Sequence, residues 1–156
     1  MNKYFYDLHI HSCLSPCGDN DMTVNNIAGM GKLAGLNIMA LTDHNTAKNC
    51  PAFFTACKRY GLIPIAGMEL TTSEDIHVIC LFEDINDALE FDKWLDGYRV
   101  PIKNRVEVYG QQMVLDGEDN LLEVVDNLLS NALSIHGPPI PQIHRSASSW
   151  LIPERK

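Results

Sequence analysis

Three short, almost unbroken apolar runs do most to constrain the fold: 38–42 (IMALT), 63–70 and 76–82 (IHVICLF). A strand apolar on both faces belongs to a sheet covered on both sides, and such sheets are built mostly from parallel strands joined by helices. The segments between the runs fit that scheme. Thr23 is placed to cap a helix running to about Ala34, with Gly35 as its stop. Residues 51–60 predict a second helix, with Pro51 in its first turn and Gly61 at its end. Ahead of these, 5–11 alternates apolar and polar as a strand does, and 85–95 (INDALEFDKWL) has helical spacing behind Asp84 as a cap. The order βαβαβ-β-α predicts an α/β fold with parallel strands.

Beyond Gly97 the pattern weakens. Residues 100–115 predict one strand or a hairpin, and 120–129 an amphipathic helix. The segment 134–156 changes character, with four of the eight prolines and no periodicity. At 156 residues and 46% hydrophobic content, the chain suffices for one globular domain with a core. A domain at 1–133, with a small insertion around 97–120, and an atypical tail at 134–156 is the expected division.

Metal-competent side chains recur at the ends of the predicted strands. His9 and His11 lie two apart on one strand and share a face. His44 follows the second strand, Glu69 ends the third, and His77 opens the fourth. In α/β folds, groups from separate strand ends converge on one rim. One histidine at a strand end is usually structural, and Glu69 alone would read as a surface carboxylate. Their repetition on one rim is what predicts a metal site, and imidazole with carboxylate suits zinc, manganese or iron. Asp7 and Asp43 read as groups that orient a ligating imidazole through its other nitrogen, although Asp7 fits a solvated strand start equally well. Asn45 and Lys48, just after His44, are placed to touch a substrate phosphate, against the alternative of a solvated loop. Cys13 and Cys17 share a Pro-Gly loop and read more readily as reduced thiols than as soft ligands.

Bulk properties narrow the function classes. A net charge of −8 disfavours a nucleic-acid partner held by bulk electrostatics. No stretch approaches the about 20 apolar residues of a membrane span. Five cysteines without a CxxC pair or a signal-peptide pattern predict reduced thiols and a cytoplasmic location. Cys80, inside an apolar run, is expected in the core.

Taken together these segments resemble the PHP (polymerase and histidinol phosphatase) family. YDLHIHSCLSP is similar to its first motif, ALTDHN to its second and GMELTTSEDIHVICLF to its third, in order over about 4–95, with a fainter likeness through about 135. The resemblance implies a distorted (βα)7 TIM-like barrel, here partial, with its C-terminal part missing or altered. It implies two or three divalent ions (Zn, Mn or Fe). His9, His11 and Glu69 would hold one, Glu69 and His77 would share a second, and His44 would belong to a third. Many members carry an Asp in the loop after the first motif, and Asp19 in SPCGDND is the nearest match, displaced by an insertion. The implied chemistry is hydrolysis of a small phosphomonoester, a nucleotide or a phosphorylated metabolite, by metal-activated water. That needs no side-chain nucleophile, and no Ser-His-Asp or Cys-His arrangement stands out.

The family pattern continues with a histidine after a later strand and an Asp-x-His pair. Only His136 and His144 stand nearby, neither in a strand-like context. The chain is also shorter than the about 200 residues of a complete barrel. Either it is a half-barrel, or the reading frame slips near Ser134: the codons of Pro138, Pro139 and Ile140, read two bases later, can spell Ala-His. If the sheet is unclosed, its edges predict a homo-oligomer or an unstable fold. The competing functional readings are a catalytically weak metal-binding remnant and a polymerase-associated PHP module.

Overall fold

A computed structural model of the chain describes residues 3–130 and 133. The tail at 134–156, with His136 and His144, lies outside the described residues. The elements run β1 (Tyr6–Ile10), α1 (Val24–Leu33), β2 (Ile38–Leu41), α2 (Cys50–Tyr60), β3 (Ile63–Thr71), β4 (His77–Phe82), α3 (Ile85–Leu95), α4 (Val106–Tyr109), β5 (Met113–Leu115) and β6 (Leu121–Val124). The fold is mixed α/β. Its main sheet has the order β1-β2-β3-β4 and curls like half a barrel.

The helices begin and end where their chemistry dictates. Thr23 accepts a hydrogen bond from the Asn26 amide, and Asp84 does the same for Asn86. Gly61 closes α2 at φ 68°, a conformation glycine adopts without the penalty a Cβ would bring. The core gathers Met39 and Leu41 of β2, Met68 of β3, Phe53 and Cys57 of α2, and Val24 and Ile27 of α1. Cys80 is partly buried and packs against this cluster. All five cysteines are free.

Two expectations are corrected. β1, β2 and β3 are parallel, but β4 is antiparallel to β3. The connection 72–76 is too short for a parallel crossover, which needs a dozen or more residues. It folds instead as a turn in which Thr72 N–H donates to Ile76 O and Asp75 takes φ 61°.

The helix expected over 120–129 is a strand, β6, paired antiparallel with β5. The apolar spacing there suits a helix, but the turn before it decides otherwise. The Asp116 carboxylate accepts from the amides of Glu118 and Asn120 and from the Asn120 side chain, and Asp119 stands at φ 63°. Residues 100–115 hold the short helix α4 as well as β5.

The β5–β6 hairpin bears on the loop that follows β1. Met113 N–H donates to Cys13 O, and Leu14, Val114 and Leu129 form a small core of their own. Buried Asn49, just ahead of α2, stitches the two parts together. Its amide donates to Ser12 Oγ and Met113 O, and its carbonyl accepts from Leu115 N–H.

Candidate metal centre

Backbone pairing sets the site. β2 runs beyond Leu41 into Asp43–Asn45, which stays hydrogen-bonded to the end of β3. Glu69 N–H donates to Asp43 O, and Asn45 N–H donates to Glu69 O. His44 and Glu69 are thereby neighbours. In the β3–β4 ladder Thr71 pairs with His77 and Glu69 with Ile79, so His77 is the diagonal neighbour of Glu69 on the same face.

Four imidazoles surround the Glu69 carboxylate. His9 Nε2 and His11 Nε2 lie 2.9 Å from Oε2, His44 Nε2 lies 3.8 Å from it, and His77 Nδ1 lies 2.6 Å from Oε1. His9 Nε2 and His11 Nε2 are themselves 3.0 Å apart. The His11 and His44 rings stack at 4.7 Å, and His77 meets His44 edge-on. Burial pushes the Glu69 carboxyl up, but hydrogen bonds from His9 and His77 and the charges of His44 and His11 outweigh it and hold it at about 2. Burial lowers His11 and His44 below the ordinary histidine value, against the pull of Glu69.

Behind these groups a buried relay fixes one tautomer. Asp43 accepts from Ser12 N–H, Ser12 Oγ and Ser15 Oγ, each at 2.7 Å. Ser15 gives its single hydrogen to Asp43, so toward His11 Nδ1, 3.0 Å away, it can only accept. His11 therefore carries its proton on Nδ1 and turns the lone pair of Nε2 toward Glu69, an assignment that follows from the network. The same Ser15 oxygen accepts the His44 backbone N–H at 3.1 Å. Burial pushes the Asp43 carboxyl up, against the pull of its serine donors.

A divalent cation fits this arrangement. His11 Nε2 and Glu69 Oε2, facing each other at 2.9 Å, are placed to share a positive charge between them. His44 Nδ1 is buried with no hydrogen-bond partner, and such orphans are costly unless something fills the valence. Among the described residues three groups bring ligand atoms within 4.8 Å of one another: His9, His11 and Glu69; His44, Glu69 and His77; and His11, Cys17 and His44.

The expected residues fare differently. His9, His11, His44, Glu69 and His77 come together. Asp19 enters none of the three groups. It is exposed and its carboxylate caps the Asp21 amide, while Cys17, also exposed, is the residue of this loop that is grouped with His11 and His44. Asp43 acts on His11, but through Ser15 rather than directly. Asp7 is exposed and accepts from the His9 backbone amide.

Asn45 is buried, with its carbonyl accepting from Thr71 N–H and its amide donating to Leu129 O. Those two hydrogen bonds make it a structural tie between β3 and Leu129. Lys48 pairs with both oxygens of Glu123 at 3.0 Å. Sequence reading missed Ser12, Ser15 and Asn49, and ranked Cys17 low. For the two serines the available signal was the Ser-x-x-Ser spacing directly after His11, which does not by itself reveal their partner Asp43.

The PHP domain family matches residues 7–125, a span that includes every residue of the three groups. This chain belongs to the PHP domain family. An uncharacterized protein of Methanocaldococcus jannaschii, MJ0043, is 32% identical over 120 residues, covering 76% of this chain and 14% of its own length. A 5'-3' exoribonuclease of Haemophilus influenzae is 31% identical over 91 residues, covering 56% of this chain and 29% of its own length. This PHP chain thus spans under a third of either relative. An amidohydrolase from Chromobacterium violaceum, solved with bound sulfate and no metal, aligns over 59% of this chain and 34% of its own, with a TM-score of 0.47 and 23% identity.

Among the described residues of the PHP chain, no helix is long and apolar enough to cross a membrane.

Proposed function

We propose that this PHP chain is the metal-binding part of a metal-dependent phosphoesterase that hydrolyses a small phosphomonoester, a nucleotide or a phosphorylated metabolite, with water as nucleophile. The observation that carries the reading is Glu69 ringed by four imidazoles at 2.6–3.8 Å. His9, His11, His44, Glu69 and His77 would hold two or three ions of Zn, Mn or Fe. When bound, such ions make hydroxide available near neutral pH and neutralise phosphate charge.

The chain's own residues supply the rest. Asp43 and Ser15 hold His11 with its lone pair inward. Glu69, kept ionised by its neighbours, offers both oxygens to the centre. His9 and His77, with side chains 52% and 44% exposed, leave an open side through which a phosphate can approach. The four-stranded sheet fits one part of a distorted (βα)7 barrel. A cytoplasmic location accords with five free thiols. Exposed apolar residues on both edge strands, Tyr6 on β1 and Val78 on β4 among them, support a homo-oligomer.

The Haemophilus relative adds RNA ends to the phosphate esters worth testing, while the charge of −8 counts against a long nucleic acid held by its backbone. The openness of the site favours one second reading, a metal-binding domain without efficient turnover. An aryl phosphate assay separates the two. Hydrolysis that depends on added Mn²⁺ or Zn²⁺ and disappears in Glu69→Gln supports the phosphoesterase. Metal binding without turnover supports the second.

A further inference from the structure

Of the three ligand groups, the one formed by His11, Cys17 and His44 contains a residue type outside the histidine and carboxylate set. We propose that the Cys17 thiolate is a metal ligand in this group, so that the centre combines imidazole with sulfur and selects a soft ion, zinc over manganese. The proposal deepens the metal-centre reading above and rests on it.

Two observations bear on this group. Cys17 Sγ lies within 4.8 Å of the ligand nitrogens of His11 and His44. His44, whose side chain is only 8% exposed, has Nδ1 buried and unpartnered, and its Nε2 stands 3.8 Å from Glu69 while the other three imidazoles lie at 2.6–2.9 Å. Glu69 at 3.8 Å therefore leaves His44 under-satisfied, and the Cys17 thiol and His77 are the further donors grouped with it.

The loop is built to hold that thiol. Ser15 N–H donates to Ser12 O, and Gly18 N–H donates to Ser15 O. The chain passes so close over Ser12 that a Cβ on Gly18 would lie 2.1 Å from the Ser12 carbonyl oxygen, so only glycine closes this turn. Cys17 sits directly before it.

The other thiols face elsewhere. Cys13 is buried against Met113 O, Cys50 and Cys57 are in the core, and Cys80 is on β4. Thiolate is a soft ligand that favours zinc, cobalt or iron, whereas manganese and magnesium prefer oxygen. A centre of imidazoles and one carboxylate would discriminate less.

The test uses the full chain, stripped of metal and titrated with Co²⁺. The expected result is a near-ultraviolet sulfur-to-cobalt charge-transfer band that vanishes in Cys17→Ser while visible cobalt absorption remains. Losing a partner that merely orients a ligand costs about 10–100-fold in metal affinity. Cys17→Asp is accordingly expected to lower the preference for Zn²⁺ over Mn²⁺ by at least about tenfold. In the unaltered protein, bound Zn²⁺ should slow alkylation of Cys17, mapped by mass spectrometry, which needs no variant. Visible cobalt absorption with no sulfur band, or a band that persists in Cys17→Ser, overturns the proposal and leaves the imidazole–carboxylate centre standing. Failure of any cobalt to bind overturns both.

Discussion

Replacing Ser15 with alanine removes one oxygen and three contacts. Ser15 Oγ donates to Asp43, accepts from the buried His44 amide and accepts from His11 Nδ1. Ser15 is 1% exposed, so water does not readily take over these roles. An orphaned buried N–H costs about 1–3 kcal/mol, and loss of a donor to a charged group about 1.5–3 kcal/mol. The losses overlap, because all three meet at one atom. A net destabilisation of about 2–4 kcal/mol follows, a large share of the about 5–15 kcal/mol typical of a domain.

The metal-free protein should show it as a fall in Tm of at least about 5 °C. A second readout is specific to the relay. Nitrogen-15 NMR of His11 should report Nδ1–H in the parent, and a mixture of tautomers in Ser15→Ala. A variant that melts within about 1 °C of the parent and keeps His11 protonated on Nδ1 would refute the relay.

Glu69 stands at about 2, below its ordinary 4.5, so its stabilising contribution is complete above 4.5 and is lost as pH falls toward 2. His11 and His44 are lowered from 6.5, so their neutral forms favour the fold above that value and oppose it below. Urea midpoints of the metal-free protein should therefore fall continuously from pH 7 to pH 3, and Glu69→Gln should flatten the lower limb, which corresponds to about 3 kcal/mol.

Arg99 donates to the Asn45 backbone carbonyl and to Asp92 at 2.7 Å, and Asp92 is 7% exposed. Arg99→Met leaves that carboxylate without its cation and should cost about 3–5 kcal/mol by chemical denaturation. Gly67 lies against backbone, and a Cβ there would sit 2.8 Å from Cys80 O. Gly67→Ala should destabilise by about 1–3 kcal/mol by the same measurement, through strain between β3 and β4.

What the sequence made legible was local. Apolar runs, caps and glycine stops placed β1 to β4 and α1 to α3 within a residue or two, because each is decided by its own neighbours. That His9, His11, His44, Glu69 and His77 come together was readable because alternation and strand ends fix which way a side chain points. The direction of β4 and the identity of β6 depended on turns, where Asp75 and Asp119 take left-handed conformations that a periodicity argument does not weigh. The contrast between Asp19 and Cys17 depended on a close approach of Gly18 to Ser12. The part played by Ser15 depended on a contact across 28 residues to Asp43. Neither signal is carried by spacing alone.

Calorimetric titration of metal-stripped protein with Zn²⁺, with Glu69→Gln in parallel, tests whether Glu69 and its ring of histidines form a metal centre. At least two ions are expected to bind the parent, with proton release, and the variant is expected to show a clear loss of stoichiometry or affinity. No binding to the parent, or the same isotherm for both proteins, would contradict it.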